Sequence, residues 1–185
     1  MSEPEVKVIR EKKFCHFCGA PLTAKESEGR KRLYCEKERL FIYENPIPAA
    51  TGIVLDDAGR ILLIRRNSQP GKNLWALPGG FIETKESPAD AAAREIQEEC
   101  GITPREPSLV DIIYQESTFY GASILIIGYS FESFDGALRP GDDAGEVRFV
   151  DFGELPRMAF ESHARMISRF LDRRELLRRL WSEEV

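Results

Sequence analysis

Residues 87–104 are the most tightly specified stretch of the chain. Ser87 is placed to cap a helix that begins at Pro88, with Asp90 three residues beyond the cap. Gly101 suits the left-handed site that ends a helix, and Pro104 discourages continuation. Between these signals Ala92, Ala93, Ile96 and Cys100 fall on one stripe, which the periodicity marks as buried. Glu95, Glu98 and Glu99 fill an adjoining band about 100° wide, at the edge of the core. Arg94 lies beside Glu98 and can hold its carboxylate by a charge-assisted bond.

This arrangement is costly. Like charges three or four residues apart on a helix repel by roughly 0.2–0.5 kcal/mol per pair, and the helix dipole disfavours acids near the C-terminus. A solvated acidic face is the plainer reading. Pro78-Gly79-Gly80 just upstream argues for another, because a loop without side chains can bring its carbonyls close to the same face. Three carboxylates and a carbonyl are hard oxygen donors, suited to Mg2+ or Mn2+, which commonly bridge to substrate phosphates.

At 185 residues the chain has room for one well-packed domain and a small appendage. No apolar run is long enough to span a membrane, and MSEPEVKVIREKK has no apolar signal core, so a cytoplasmic protein without a membrane partner is expected. The net charge of -5 gives no general reason to expect nucleic acid. Residues 1–45 are polar and hold three of the four cysteines, and NPIP (Asn45 to Pro48) marks a boundary before a second domain, 46–185.

In that second domain Ala50–Leu55 and Arg60–Arg66 read as a hairpin about Asp56-Asp57-Ala58-Gly59. Leu74–Leu77, Leu109–Gln115, Ser123–Phe131 and Glu146–Asp151 read as further strands, and Phe160–Trp181 as a long amphipathic helix. The run SILIIGYSF is apolar enough to be central in its sheet. The mixed order of strands and helices argues for an α/β fold, a layered α/β/α domain. Ile167, Phe170, Leu171, Leu177 and Leu180 form the face of the last helix that covers the domain or a partner subunit. The arginines opposite are solvated, and His163 is structural. Arg65 and Arg66 end a strand, either in solvent or facing a pyrophosphate.

Cys15-His16-Phe17-Cys18-Gly19 has the C-x2-C-G form of a zinc knuckle, and Cys35 follows at a spacing that suits a four-cysteine ribbon. The fourth position holds Glu38, giving a Cys15, Cys18, Cys35, Glu38 set for Zn2+; a degenerate ribbon without metal is the alternative. Cys100 reads as a buried thiol.

Gly80, Glu86 and Arg94-Glu95-Ile96-Gln97-Glu98-Glu99-Cys100-Gly101-Ile102 match the Nudix box, G-x5-E-x7-R-E-U-x-E-E-x-G-U with U aliphatic, at all nine specified positions over 23 residues. LWALPGGFIE (Leu74 to Glu83) and EVRFVDFGELP (Glu146 to Pro156) also resemble the family's flanks, and the resemblance covers roughly residues 46–160. It implies a Nudix α/β/α sandwich with a mixed sheet, preceded by a small zinc ribbon. It also implies hydrolysis of a nucleoside diphosphate derivative, a small-molecule nucleotide substrate, with Mg2+ or Mn2+. Carried over by position, Glu95, Glu98, Glu99 and the Gly80 carbonyl hold the cations, while Glu86 and Arg94 orient the loop and helix. Glu99 is the first candidate for general base and Glu146 the second.

A zinc ribbon joined by N-P-x-P to a Nudix domain resembles the NADH pyrophosphatases and related ADP-ribose or FAD pyrophosphatases. The S-Q-P-W-P-F-P-x-S array of the NADH-specific group is absent from Gln115–Ile126, which moves ADP-ribose or a broader set of ADP-containing dinucleotides ahead. Tyr43, Phe81, Phe119 and Tyr120 are the aromatics that could stack on adenine. Two other readings remain: a non-catalytic Nudix-fold ligand sensor, and a hydrolase that removes nucleotide caps from RNA. A homodimer is compatible with one chain's sequence.

Overall fold

The computed structural model describes residues 12–141 and 143–182, with side chains through Arg179 on the last helix. The N-terminal tail, Asp142 of the acidic loop, and the side chains of Leu180 and Trp181 lie outside the described residues. The chain forms two compact units. One comprises the chain up to Pro46 together with Glu116–Ser123; the other comprises Ile47–Gln115 and the chain from Ile124 onward.

In the first unit β1 (Thr23–Ser27), β2 (Arg30–Cys35) and β3 (Leu40–Ile42) make a small antiparallel sheet in that order. Its core is slight. Cys15, Cys35 and Ile42 are buried, and Cys18, Ala20, Leu22, Leu33 and Leu40 pack around them. Thiols thus supply much of the interior of a segment too small to build a large apolar core.

The second unit holds β4 (Ile47–Val54), β5 (Ile61–Arg66), β6 (Trp75–Ala76), β7 (Gly79–Phe81), α1 (Pro88–Cys100), β10 (Ala144–Val150) and α2 (Glu161–Ser182). It also holds most of β8 (Ile102–Ser117) and β9 (Ala122–Gly136). One sheet runs β7-β4-β9-β8 and another β10-β5-β6. The first is mixed: β4 pairs parallel with β9 and antiparallel with β7. Two α-helices and a mixed sheet among the described residues make this an α/β fold. Among the described residues, no helix is long and apolar enough to cross a membrane.

Alternation along β4 separates the two helices. Ala50, Gly52 and Val54 face α1: a Cβ on Gly52 would lie 2.4 Å from Ile96 Cδ1. Thr51 points to the other face and is in register with Gly128 of β9. There α2 packs so closely that a Cβ on Gly128 would lie 2.2 Å from Met166 Sδ. Because successive strand residues project to opposite faces, α1 and α2 cover opposite sides of the sheet. Ala91, Ala92, Ile96 and Cys100 join Ala50, Val54, Leu62, Ile64 and Phe131 in the core.

Three expectations are corrected. β4 and β5 are not a paired hairpin; each is central in a different sheet, and only Leu55 and Ile61 bridge them. Both strands bury nearly continuous apolar runs, which a two-sided position rewards more than a hairpin does. β8 starts at Ile102 and continues through Pro104 and Pro107, earlier than the helix-stop signal suggests. It is the edge strand, where a missing N–H costs no ladder bond. On α2, Ile167 and Phe170 are buried as expected, but Leu177 is exposed.

The close approach at Gly52 generates a prediction. Gly52→Ala should destabilise the protein by about 1–3 kcal/mol through overpacking against Ile96, read as a lower urea midpoint with an unchanged m-value.

Candidate active site

Ser87 caps α1 as its sequence implies. Its side chain accepts from Asp90 N, and Gly101 takes the left-handed C-terminal position with φ 76°. A helix fixed at both ends sets the phase of its glutamates. Glu99 turns inward and is only 5% exposed, while the Glu98 side chain stays half-exposed.

The Pro78-Gly79-Gly80 loop lies against both β4 and α1. Thr51 Oγ1 donates to Pro78 O at 2.8 Å, and Gly52 N donates to the same carbonyl at 3.0 Å. Gly79 N donates to Glu99 Oε2 at 2.9 Å, joining loop to helix. Neither glycine can carry a side chain here. A Cβ on Gly79 would fall 2.4 Å from Ala50 O, and one on Gly80 would fall 2.4 Å from Glu95 Oε1.

Arg94 gathers the remaining acids. Its Nε and Nη2 donate to the two oxygens of Glu86 at 3.0 and 2.9 Å. Nη1 donates to Glu95 Oε1 at 2.8 Å and Glu98 Oε2 at 3.0 Å, and Nη2 also reaches Phe81 O at 3.1 Å. Glu83 N donates to Glu86 Oε1 at 2.7 Å, tying in the connecting loop. Arg94's planar fork suits this work, since it offers several donors in fixed directions.

The charges respond accordingly. Bonding from Arg94, then from the Glu83 amide, holds Glu86 below the usual carboxylate range. Burial lifts Glu95 against the pull of Arg94. Glu99 is pushed up to about 8: burial is the main cause, Glu95 and Asp143 add repulsion, and the Gly79 N–H and Arg66 oppose it. Burial likewise pushes the Cys100 thiol well up, fitting an inert core residue.

These observations bear on a divalent cation. The oxygen donors are hard, and Glu95 rests where any Gly80 side chain would be. A buried carboxylate with too little positive charge nearby also gains from a cation. The donor chemistry therefore fits one. Glu95 and Glu98 are hydrogen-bonded to Arg94, and Glu99 to Gly79.

Other sequence candidates are dispersed. Glu146 lies on β10, 3.9 Å from Arg65 Nη1 and 4.0 Å from Arg148 Nε. Phe81 is exposed on β7, with its carbonyl bound to Arg94. Tyr43, Phe119 and Tyr120 belong to the first unit, where the Phe119 and Tyr120 rings meet edge-on with centroids 5.0 Å apart. Arg66 is anchored by Nε to Pro70 O at 2.7 Å and acts electrostatically on Glu99. The sequence pattern gave Thr51 no special standing, because its link to the box is spatial, and it marked Arg66 only as a possible pyrophosphate contact.

In the first unit the Sγ atoms of Cys15, Cys18 and Cys35 lie within 4.8 Å of one another, a set able to hold a metal ion. The Cys18 and Cys35 sulfurs are 3.5 Å apart. Gly19 N donates to Cys15 O at 2.8 Å, closing the knuckle turn. Glu38 donates its amide to Cys35 Sγ at 3.4 Å, but its carboxylate is not part of the three-thiol set. His16 is exposed, its ring 3.9 Å from that of Phe17.

The NUDIX domain model matches residues 45–170. The chain belongs to the Nudix family. It is 36% identical over 141 residues to an ADP-ribose pyrophosphatase of Methanocaldococcus jannaschii, covering 76% of this chain and 81% of that protein. An NAD-capped RNA hydrolase, NudC, of Stutzerimonas stutzeri is 27% identical over 95% of this chain, which spans 60% of its length. Among solved structures, a NUDIX hydrolase from Nitrosomonas europaea superposes with a TM-score of 0.68 at 25% identity, covering 89% of this chain and 93% of that one.

Glu99 yields a pH prediction for the Nudix unit. Its pKa is raised from 4.5 to about 8 in the folded chain, so its stabilising contribution is full below about pH 4.5 and is lost as pH rises through 8. In EDTA the Tm should fall from pH 5 to pH 8, and Glu99→Gln should flatten that slope. Equal slopes in the two proteins would contradict the assignment.

Proposed function

We propose that this Nudix protein is a divalent-metal-dependent pyrophosphohydrolase. Its substrate is ADP-ribose or a related ADP-containing dinucleotide such as NADH or FAD, cleaved to AMP and a phosphorylated remainder. The single observation that carries the reading is the Gly79–Glu99 hydrogen bond, which sets a buried carboxylate beside a side-chain-free loop on a helix with two further acids. The relative named ADP-ribose pyrophosphatase supports the substrate class.

In this reading Glu95, Glu98, Glu99 and the Gly80 carbonyl hold Mg2+ or Mn2+. Bound there, the cation neutralises developing phosphoryl charge and lowers the pKa of water. The protein's own residues supply position. Arg94 keeps Glu86, Glu95 and Glu98 in one network and fixes the Phe81 carbonyl, so the acids are arranged before substrate arrives. Glu99, linked to Gly79, is the first choice to take the proton of the attacking water, with Glu146 the second. Phe81, Tyr43, Phe119 and Tyr120 are the aromatics offered to the adenine.

The first unit is proposed as a zinc ribbon, making domains of 1–45 and 46–185, with Cys15, Cys18 and Cys35 as ligands and Glu38 the fourth. Its thiol cluster supports this. A second reading has a specific basis: the NAD-capped RNA hydrolase relative aligns over 95% of the chain, against 76% for the ADP-ribose pyrophosphatase. A capped oligonucleotide therefore belongs among the test substrates. A cytoplasmic location and a homodimer complete the proposal.

Incubation with Mg2+ and ADP-ribose, NADH, FAD, an NAD-capped RNA and nucleoside triphosphates should release AMP fastest from ADP-ribose. Glu98→Gln should lower kcat/KM by at least about a hundredfold, as expected for loss of transition-state charge stabilisation. No turnover of any substrate would leave the ligand-sensor reading in its place. Metal analysis should find one zinc per chain, lost in Cys18→Ser; zinc-free wild-type protein would remove the ribbon assignment.

A further inference from the structure

The loop that presents Gly80 is held from α1 by Glu99 and from β4 by Thr51 and Gly52. It has one more attachment, from the opposite side of the sheet. Residues ahead of α2 run alongside β6: Trp75 N donates to Arg157 O at 3.3 Å, Ala159 N donates to Trp75 O at 2.6 Å, and Met158 bridges Trp75 in parallel. The next contact along this splint is made by a side chain. Leu77 N donates to His163 Nδ1 at 3.1 Å.

His163 is well suited to accept. It is 8% exposed, and the Phe160 ring meets it edge-on at a centroid distance of 5.0 Å. Burial, with a contribution from Arg66, pushes its pKa down to about 3, so Nδ1 keeps its lone pair. Met166, one turn further on, is fully buried and packs against Gly128, fixing the helix that carries the imidazole. Pro78 and Gly79 leave little play between Leu77 and Gly80, because Pro78 O is bound twice and Gly79 N once.

We propose that His163 is a positioning residue for the cation cradle: by accepting the Leu77 N–H it fixes the loop that sets the place of the Gly80 carbonyl. The inference rests on the reading of Gly80 and the α1 glutamates as the cation's holders. It assigns α2 a part in the chemistry, although none of its residues lies in the Nudix box. His163 touches no substrate in this scheme; it acts through Leu77.

Three substitutions separate the bond from mere packing. In His163→Asn the amide oxygen can stand near the place of Nδ1, in His163→Gln it reaches too far, and His163→Leu fills space with no acceptor. Binding of Mn2+ to the whole protein, followed by electron paramagnetic resonance, is measured beside the Mg2+ dependence of ADP-ribose hydrolysis. His163→Leu and His163→Gln should bind Mn2+ about tenfold more weakly, as removal of a residue supporting a metal's ligands typically does. They should need correspondingly more Mg2+ for half-maximal rate, with the KM for ADP-ribose at saturating Mg2+ changed less than about twofold. His163→Asn should recover most of the loss.

Mn2+ affinities within about twofold of wild type in both His163→Leu and His163→Gln would overturn the proposal, as would equal weakening in the Asn and Gln variants. If His163→Leu does not fold, the Asn and Gln pair decides alone. Wild-type protein that binds Mn2+ but hydrolyses nothing would end the substrate reading while leaving the Mn2+ comparison decisive for His163. Wild-type protein that binds no Mn2+ would end both.

Discussion

The closeness of Gly79 and Gly80 to their neighbours is the constraint on which the rest of the site depends. One added carbon at either position would collide with Ala50 O or with the Glu95 carboxylate. With no side chains in the way, backbone and carboxylate meet directly, and Gly79 can donate to Glu99. The core beneath makes this contact durable. Gly52 lets Ile96 sink onto β4, which brings α1 down to the height of the loop. Sheet pairing of Gly79 with Thr51 and of Gly80 with Ala50 then fixes the loop along the strand. Packing and site geometry are therefore one problem, solved by three glycines.

The electrostatics follow from that geometry. Glu99 is buried by the close approach, and burial penalises its charged form more than one amide can offset. Arg94 offsets the other acids, but its five donors are spent on Glu86, Glu95, Glu98 and the Phe81 carbonyl. The site so arranged is short of positive charge at its inner end and satisfied at its outer end. Such an imbalance lowers stability by itself and raises affinity for a cation, a common trade at functional sites.

Much of this was legible from residue order because α1 is local. Its cap and end are written in Ser87 and Gly101, and Ala92, Ile96 and Cys100 are buried where the helical period puts them. Ala93 of the expected stripe is only half-buried, whereas Ala91 and Glu99, outside it, are buried. The family resemblance rests on the same segment and is matched by the fold. What periodicity could not reach is pairing between distant segments. Leu55 and Ile61 flank a good turn sequence, yet β4 and β5 go to separate sheets because each is better buried between other partners. Pro104 was a sound stop signal for a helix but no obstacle to an edge strand. His163 looked like an ordinary structural residue, since its partner, the Leu77 amide, is 86 residues away and has no sequence signature.

The first unit is assembled from two stretches of chain, one ending at Pro46 and one spanning Glu116–Ser123. Contacts between such separated stretches require a long loop to close, and the entropy of closure must be met before they stabilise anything. Local pairings such as β1 with β2 carry no such burden and can form early. The second stretch is the tip of the β8–β9 pair, whose strands belong largely to the Nudix unit. A fragment ending at Pro46 would therefore lack the Glu116–Ser123 stretch of its own unit.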